Sequence, residues 1–145
     1  MYFEEFQQGT VYRLDPIQVS REDIIQFAQQ YDPQKIHIDE AFSAQGPFGG
    51  LIASGYHTLA VVWARWAEAH VMGDESMGGP GLDTVQWLAP VRPGDTLYTT
   101  VTITETRRST SKPRGIIRFR FEVENQDAVP IMVTEGAALI RLRPA

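Results

Sequence analysis

The chain has 145 residues, a formal net charge of −5, 43% apolar residues and no cysteine. That size supports one core, roughly 70% of the unfolded surface being buried in a globule this long, while the composition excludes disorder, disulfides, thiolate metal sites and a cysteine nucleophile, and the charge gives nucleic-acid binding no electrostatic support. No apolar run approaches the ~20 residues that cross a bilayer, and the acidic Met1–Phe6 lacks the pattern of a signal peptide; one domain over residues 1–145 in a cytoplasmic setting is expected.

Taken in chain order, Val11–Val19 reads as a strand interrupted near Pro16. Ser20 followed by Arg-Glu-Asp is a helix start: the serine oxygen accepts orphan amides, and Glu22 and Asp23 suit the positive end of the dipole. Ile24, Ile25, Phe27 and Ala28 give the helix an apolar face up to Tyr31, and Pro33 ends it. The run Gln45–Gly55 is too glycine-rich for regular structure. It leads into a helix over Tyr56–His70, where Leu59, Ala60, Val61, Val62, Trp63, Ala64, Trp66 and Ala67 cover nearly the whole circumference. A helix apolar all round is expected to be buried on most sides.

The second half alternates with period two. Leu97, Val101 and Ile103 interleave with threonines, and Ile117, Phe119, Phe121 and Val123 interleave with Arg118, Arg120, Glu122 and Glu124, as in strands with one wet face. Turn compositions fall at Pro93-Gly94, Ser111–Gly115 and Asn125–Asp127, and a last strand runs over Ile131–Leu142. The expected fold class is α+β, a long curved antiparallel sheet wrapped round one buried helix. Arg107, Arg108, Lys112, Arg114, Arg118 and Arg120 concentrate positive charge here. They read either as a solvated face and hairpin tip or as a docking point for a phosphorylated ligand.

Candidates for chemistry are few. Asp32 and His37 stand five residues apart across a helix end, a spacing that a turn after Pro33 can bring onto one water. A carboxylate beside an imidazole is a proton-transfer pair, although capping and surface roles account for the same residues. The histidines lack zinc-ligand spacing, Gly50–Gly55 does not spell a nucleophile elbow, and the glycines fail the dinucleotide fingerprint. Ser54-Gly55 sits where the long helix begins. The first amides of a helix have no internal partner, so Gly55, with no side chain to block approach, can offer its N–H to a developing oxyanion; a plain serine cap with a close-packed glycine explains it equally.

The order of these pieces resembles the MaoC-like, (R)-specific enoyl-CoA hydratase family. Phe27-Ala-Gln-Gln-Tyr-Asp-Pro-Gln-Lys-Ile-His37-Ile-Asp followed by Phe48–Gly55 is similar to its hydratase motif, with Asp32, Ile36 and His37 at matching spacing. Val85–Leu97 and Asn125-Gln126 resemble its strand-turn-strand signature and hairpin. Gln34-Lys35 stands where the family commonly has Asn-Pro. The resemblance implies a hot-dog fold and a hydro-lyase working across the 2,3 bond of an acyl thioester, with coenzyme A present only as part of the substrate and no metal. In that reading Asp32 and His37 hold water, the Gly55 amide takes the carbonyl oxygen, Gln34 and Ser54 stand at the substrate, Gln34 with an ordering role, and Trp87 and Pro90 line the acyl tunnel. It further implies at least a homodimer, in which Arg107, Arg108, Lys112 and Arg114 become candidate phosphate contacts. A thioesterase on the same fold, and a non-catalytic acyl-CoA-binding subunit, remain as alternatives.

Overall fold

The computed structural model describes residues 1–145. After a 3₁₀ turn at Phe3–Glu5 come β1 (Val11–Arg13), β2 (Ile17–Gln18), α1 (Arg21–Tyr31), α2 (Lys35–Ile38), α3 (Glu40–Ala44) and α4 (Gly55–Glu68), then β3 (Gly81–Trp87), β4 (Thr96–Arg108), β5 (Arg114–Glu124) and β6 (Pro130–Arg141). The sheet runs β1-β4-β5-β6-β3, with β2 also on β4, and every pairing is antiparallel. This is the α+β hot-dog arrangement expected above. The interruption near Pro16 divides the first strand into β1 and β2, each laid against a different stretch of β4; proline has no N–H for the ladder.

Period-two alternation decides which face of the sheet is core. Leu97, Val101 and Ile103 of β4, Ile117, Phe119 and Phe121 of β5, and Ile131, Met132 and Ile140 of β6 are all buried. They meet Val62 and Trp66 of α4, and Ile24 of α1 joins the same core. Trp66 packs edge-on against Tyr12 and Phe121, at 5.4 and 6.0 Å between ring centroids. Each such aliphatic or phenyl side chain contributes about 1.5–3 kcal/mol by leaving water.

Two local features place the site. Ser20 caps α1 by accepting from the Asp23 amide at 3.1 Å, and the helix stops at Asp32, whose φ/ψ of −154°/71° is no longer helical. The turn after Pro33 is more ordered than the sequence suggests, since α2 and α3 follow at once, Asp39 capping α3 through the Phe42 amide. At the end of the sheet nearest the site, Gln126 clamps the β5–β6 hairpin to the Pro93-Gly94 turn, donating to Asp95 Oδ1 and accepting from the Thr96 amide.

One expectation fails. The helix over Gly55–Glu68 is not buried on most sides: His57, Thr58, Val62 and Trp66 are enclosed, but Tyr56, Ala60, Trp63, Ala64 and Ala67 are exposed. The sheet covers one face of α4, and nothing in this chain covers the other. β3 is an edge strand with no residue fully buried, and it leaves Leu82, Trp87 and the following Leu88 at 40–52% exposure. An apolar groove of about 480 Å³, lined by Tyr56, Leu59, Ala60, Trp63, Leu82 and Phe119, lies between that edge and the helix.

Candidate active site

The C-terminus of α1, the short α2, the strand-like run before α4 and the end of β3 meet around a cavity of about 380 Å³. Asp32, Gln34, His37, Gly55, Trp87 and Pro90 all face it, with Phe48, Ile52, Tyr56, Leu88 and Val91 supplying most of the apolar wall.

The helix end at Asp32 turns its carboxylate back toward the start of α4. Ser54 Oγ donates to Oδ2 at 2.7 Å and Gln34 Nε2 donates to Oδ1 at 2.8 Å. The Ser54 hydroxyl above all holds the Asp32 carboxyl below the ordinary carboxylate range, with Gln34 and the neighbouring His37 adding to it and burial opposing it. Asp32 is therefore an anion at neutral pH.

His37 comes from α2 and is buried. Its Nδ1 lies 2.7 Å from the Ile52 carbonyl. A carbonyl only accepts, so Nδ1 carries the hydrogen and Nε2 is the nitrogen free to take a proton. That Nε2 stands 3.3 Å from Asp32 Oδ2. The five-residue spacing thus converges because the helix breaks at Asp32 and restarts at Lys35, turning both side chains to one side. A continuous helix would have splayed them.

Ser54 was expected at the ligand. It is instead fully buried behind the carboxylate, off the cavity wall. Its oxygen does two jobs, donating to Asp32 and accepting from the Tyr56 amide at 3.2 Å as the cap of α4. The next amide, Gly55 N–H, has no acceptor within the protein, as befits the first residue of a helix. The reason for glycine here differs from the sequence expectation. A Cβ at Gly55 would stand 2.7 Å from Cδ2 and Nε1 of Trp87 and closer still to Cε2. The missing side chain makes room for an indole rather than only for a ligand. Trp87 Nε1 donates to the Gly55 carbonyl at 2.9 Å, and its ring meets Tyr56 edge-on at 5.5 Å.

The arginines do not join this cavity within the chain. Arg107, Arg108 and Arg114 line a second hollow of about 310 Å³ at the β4–β5 hairpin, with Lys112 at the hairpin tip. It lies by Leu139, whereas the first cavity reaches Ile131 of the same strand; those eight residues span roughly 26 Å. Register puts Arg107 beside Ile116, Ile116 beside Leu139 and Arg114 beside Arg141 on the outer face. Arg108 pairs with Glu4, Arg118 with Asp83 and Glu105, and Arg120 with Glu122 and Glu135, so Arg107, Arg114 and Arg141 are left without a carboxylate partner.

Sequence reasoning missed His57. Its ring is buried, stacked on Phe27 at 4.7 Å, and its Nδ1 has no partner. Burial holds its proton affinity below the usual histidine value, with Asp23 pulling weakly the other way. Its position one turn into an apolar helix was the available signal.

Comparison with known proteins gives concordant matches. Residues 4–125 match the family described as MaoC like domain. The uncharacterized protein YdeM of Bacillus subtilis is 33% identical over 97% of this chain and 99% of its own length. The 3-hydroxybutyryl-CoA dehydratase of Methylorubrum extorquens is 34% identical over 72% of this chain and 65% of its own. Among solved structures, a MaoC-like dehydratase from Rhodospirillum rubrum superposes with a TM-score of 0.92 at 27% identity, covering 100% of this chain and 99% of that one.

Proposed function

The chain belongs to the MaoC-like domain family, and from that premise we propose that it is a hydro-lyase adding or removing water across the 2,3 bond of an acyl-CoA thioester. The observation that carries the reading is the juxtaposition of an anionic Asp32, a His37 whose Nε2 is free, and an unpaired Gly55 amide around one apolar cavity.

The steps follow from those atoms. The enoyl thioester lies with its carbonyl oxygen at the Gly55 N–H, and one water sits between Asp32 and His37. As the water oxygen bonds to C3, its proton passes to His37 Nε2, and the π electrons move onto the thioester oxygen. The Gly55 amide and the positive end of α4 stabilise that enolate, a contact of about 3 kcal/mol in comparable oxyanion sites. The imidazolium then returns its proton to C2 on the same face, restoring the enzyme and giving a 3-hydroxyacyl thioester. Asp32 orients the water and stabilises the imidazolium; Ser54 and Gln34 keep it ionised. Dehydration is the reverse path. The (R) hydroxyl is the configuration the sequence resemblance implies.

Two copies of the chain act together. The bare β3 edge and the apolar groove beside α4 are the surfaces such a dimer covers, because an uncovered strand edge and exposed Trp63, Leu82 and Leu88 otherwise invite aggregation. Antiparallel pairing of two β3 edges sets the Trp87 end of one beside the Gly81 end of the other. It brings the outer-face arginines to the same end of the joint sheet as the first cavity. The partner's Arg107 and the partner's Arg114 then bind the coenzyme A phosphates, with Lys112 at their margin.

The test is an absorbance assay with crotonyl-CoA and longer 2-enoyl-CoA thioesters, with chiral analysis of the product. Wild type removes the enoyl absorbance, and Asp32→Asn loses at least about a thousandfold in kcat while unfolding with wild-type cooperativity. Release of free thiol without hydration selects thioester hydrolysis instead. Binding without any turnover in wild type and Asp32→Asn alike selects a non-catalytic role.

A further inference from the structure

Trp87 ends an edge strand and is 44% exposed, so burial alone gives weak reason for its placement. Its indole N–H nevertheless donates to the Gly55 carbonyl at 2.9 Å. In an α-helix that carbonyl has its own donor four residues on, so satisfying it does not require the indole. The ring also fills the volume that a side chain at Gly55 would take. Glycine is the residue with the widest backbone freedom. A glycine at the first position of a helix therefore leaves its Cα and its own carbonyl freer to shift unless something outside the helix restricts them. Behind Gly55 the chain is fixed, because the Ser54 carbonyl accepts from the amides of His57 at 3.0 Å and Thr58 at 3.2 Å. Ahead of it, Trp87 holds the carbonyl and blocks the Cα.

We infer that Trp87 is a positioning residue: it locks Gly55 from the side opposite Ser54, so that the Cα and carbonyl of Gly55, and with them its amide, hold their place at the cavity wall, and Gly55 and Trp87 form one unit. The inference rests on the hydration reading for its catalytic consequence and on geometry alone for the unit itself. It also explains why residue 55 is glycine: with an indole in place, an alanine methyl has nowhere to go. Trp87 in turn depends on where β3 lies, which ties the place of the amide to the strand edge.

Four variants test it: Trp87→Phe, Trp87→Leu, Gly55→Ala and the double Gly55→Ala/Trp87→Leu. Phenylalanine keeps a ring on Gly55 and deletes the hydrogen bond. It is expected to lower kcat for hydration of a 2-enoyl-CoA roughly five- to tenfold, with KM within twofold and the position of the pH–rate profile unchanged. Gly55→Ala is expected to lose on the order of a hundredfold in kcat in the presence of Trp87. The double variant recovers a large part of that loss. Wild-type kcat in Trp87→Phe, or an equal loss from Gly55→Ala whichever residue stands at 87, overturns the inference. The unit is read independently of turnover by urea unfolding of the same proteins: Gly55→Ala lowers the midpoint with Trp87 present and leaves it nearly unchanged with Leu at 87. Additive midpoints overturn the pairing even if no enoyl thioester is a substrate; failure of every enoyl thioester with coupled midpoints leaves the unit standing and removes the hydration reading.

Discussion

Ser54→Ala removes a single oxygen that serves two neighbours, and its cost can be worked from the structure. The hydroxyl donates to the Asp32 carboxylate at 2.7 Å, both groups being largely shielded from water. A hydrogen bond to a charged group contributes about 1.5–3 kcal/mol, and loss of a helix N-cap costs about 1 kcal/mol. Because both contacts share one atom, the sum is not strictly additive, and a loss of about 2–4 kcal/mol at pH 7 is expected. A domain with ~5–15 kcal/mol of stability survives that. The sign with pH follows from Asp32, whose folded-state carboxyl is held down by Ser54 first. Such a group adds stability that is present above its unfolded value near ~3.9 and disappears as pH falls through the lower folded value. The gap between wild type and Ser54→Ala should therefore be full at pH 7 and narrow below about pH 4. Urea unfolding at pH 7 and near pH 3.5 measures it. A variant as stable as wild type at pH 7, or a gap that ignores pH, would refute the assignment of Ser54 as the group that keeps Asp32 ionised.

Three further outcomes are expected. His57 is buried with its Nδ1 unpartnered and a lowered proton affinity, so the unfolded chain takes up a proton first as pH falls below ~6.5, and stability declines there by up to about 1.4 kcal/mol per pH unit; His57→Leu loses this slope between pH 7.5 and 5.5 in urea midpoints, and an unchanged slope contradicts it. Leu82→Lys on the β3 edge reduces the sedimenting mass from two chains to one, and Arg114→Ala raises KM for a 2-enoyl-CoA roughly three- to tenfold. KM for the same acyl group on N-acetylcysteamine, which has no phosphates, stays put; an equal effect on both thioesters contradicts the phosphate assignment.

The fold was legible where one periodicity governed. Residues 117–123 alternate without exception, and the buried side of β5 is the apolar one. The Ser20 cap and the helix end before Pro33 were equally local. The convergence of Asp32 and His37 was legible only as a possibility, because it depends on the φ/ψ of one residue at a helix end. Burial of α4 was misjudged, since composition reports what a surface can bury and not whether this chain contains the element that buries it. Ser54 and Gly55 were recognised as a helix start, but their partners are remote: Asp32 lies 22 residues before Ser54, and Trp87 lies 32 residues after Gly55. No local pattern encodes those contacts. Likewise the arginine run does not disclose which members acquire carboxylates, a matter settled by register across β3, β4, β5 and β6.

A crystal structure of the protein with a 3-hydroxyacyl-CoA bound shows directly whether Asp32, His37 and Gly55 meet the reacting atoms. The thioester oxygen is expected at hydrogen-bond distance, roughly 3 Å, from the Gly55 N–H, and the 3-hydroxyl between Asp32 and His37 Nε2. A thioester seated elsewhere, or one whose C3 lies out of reach of both side chains, would contradict it.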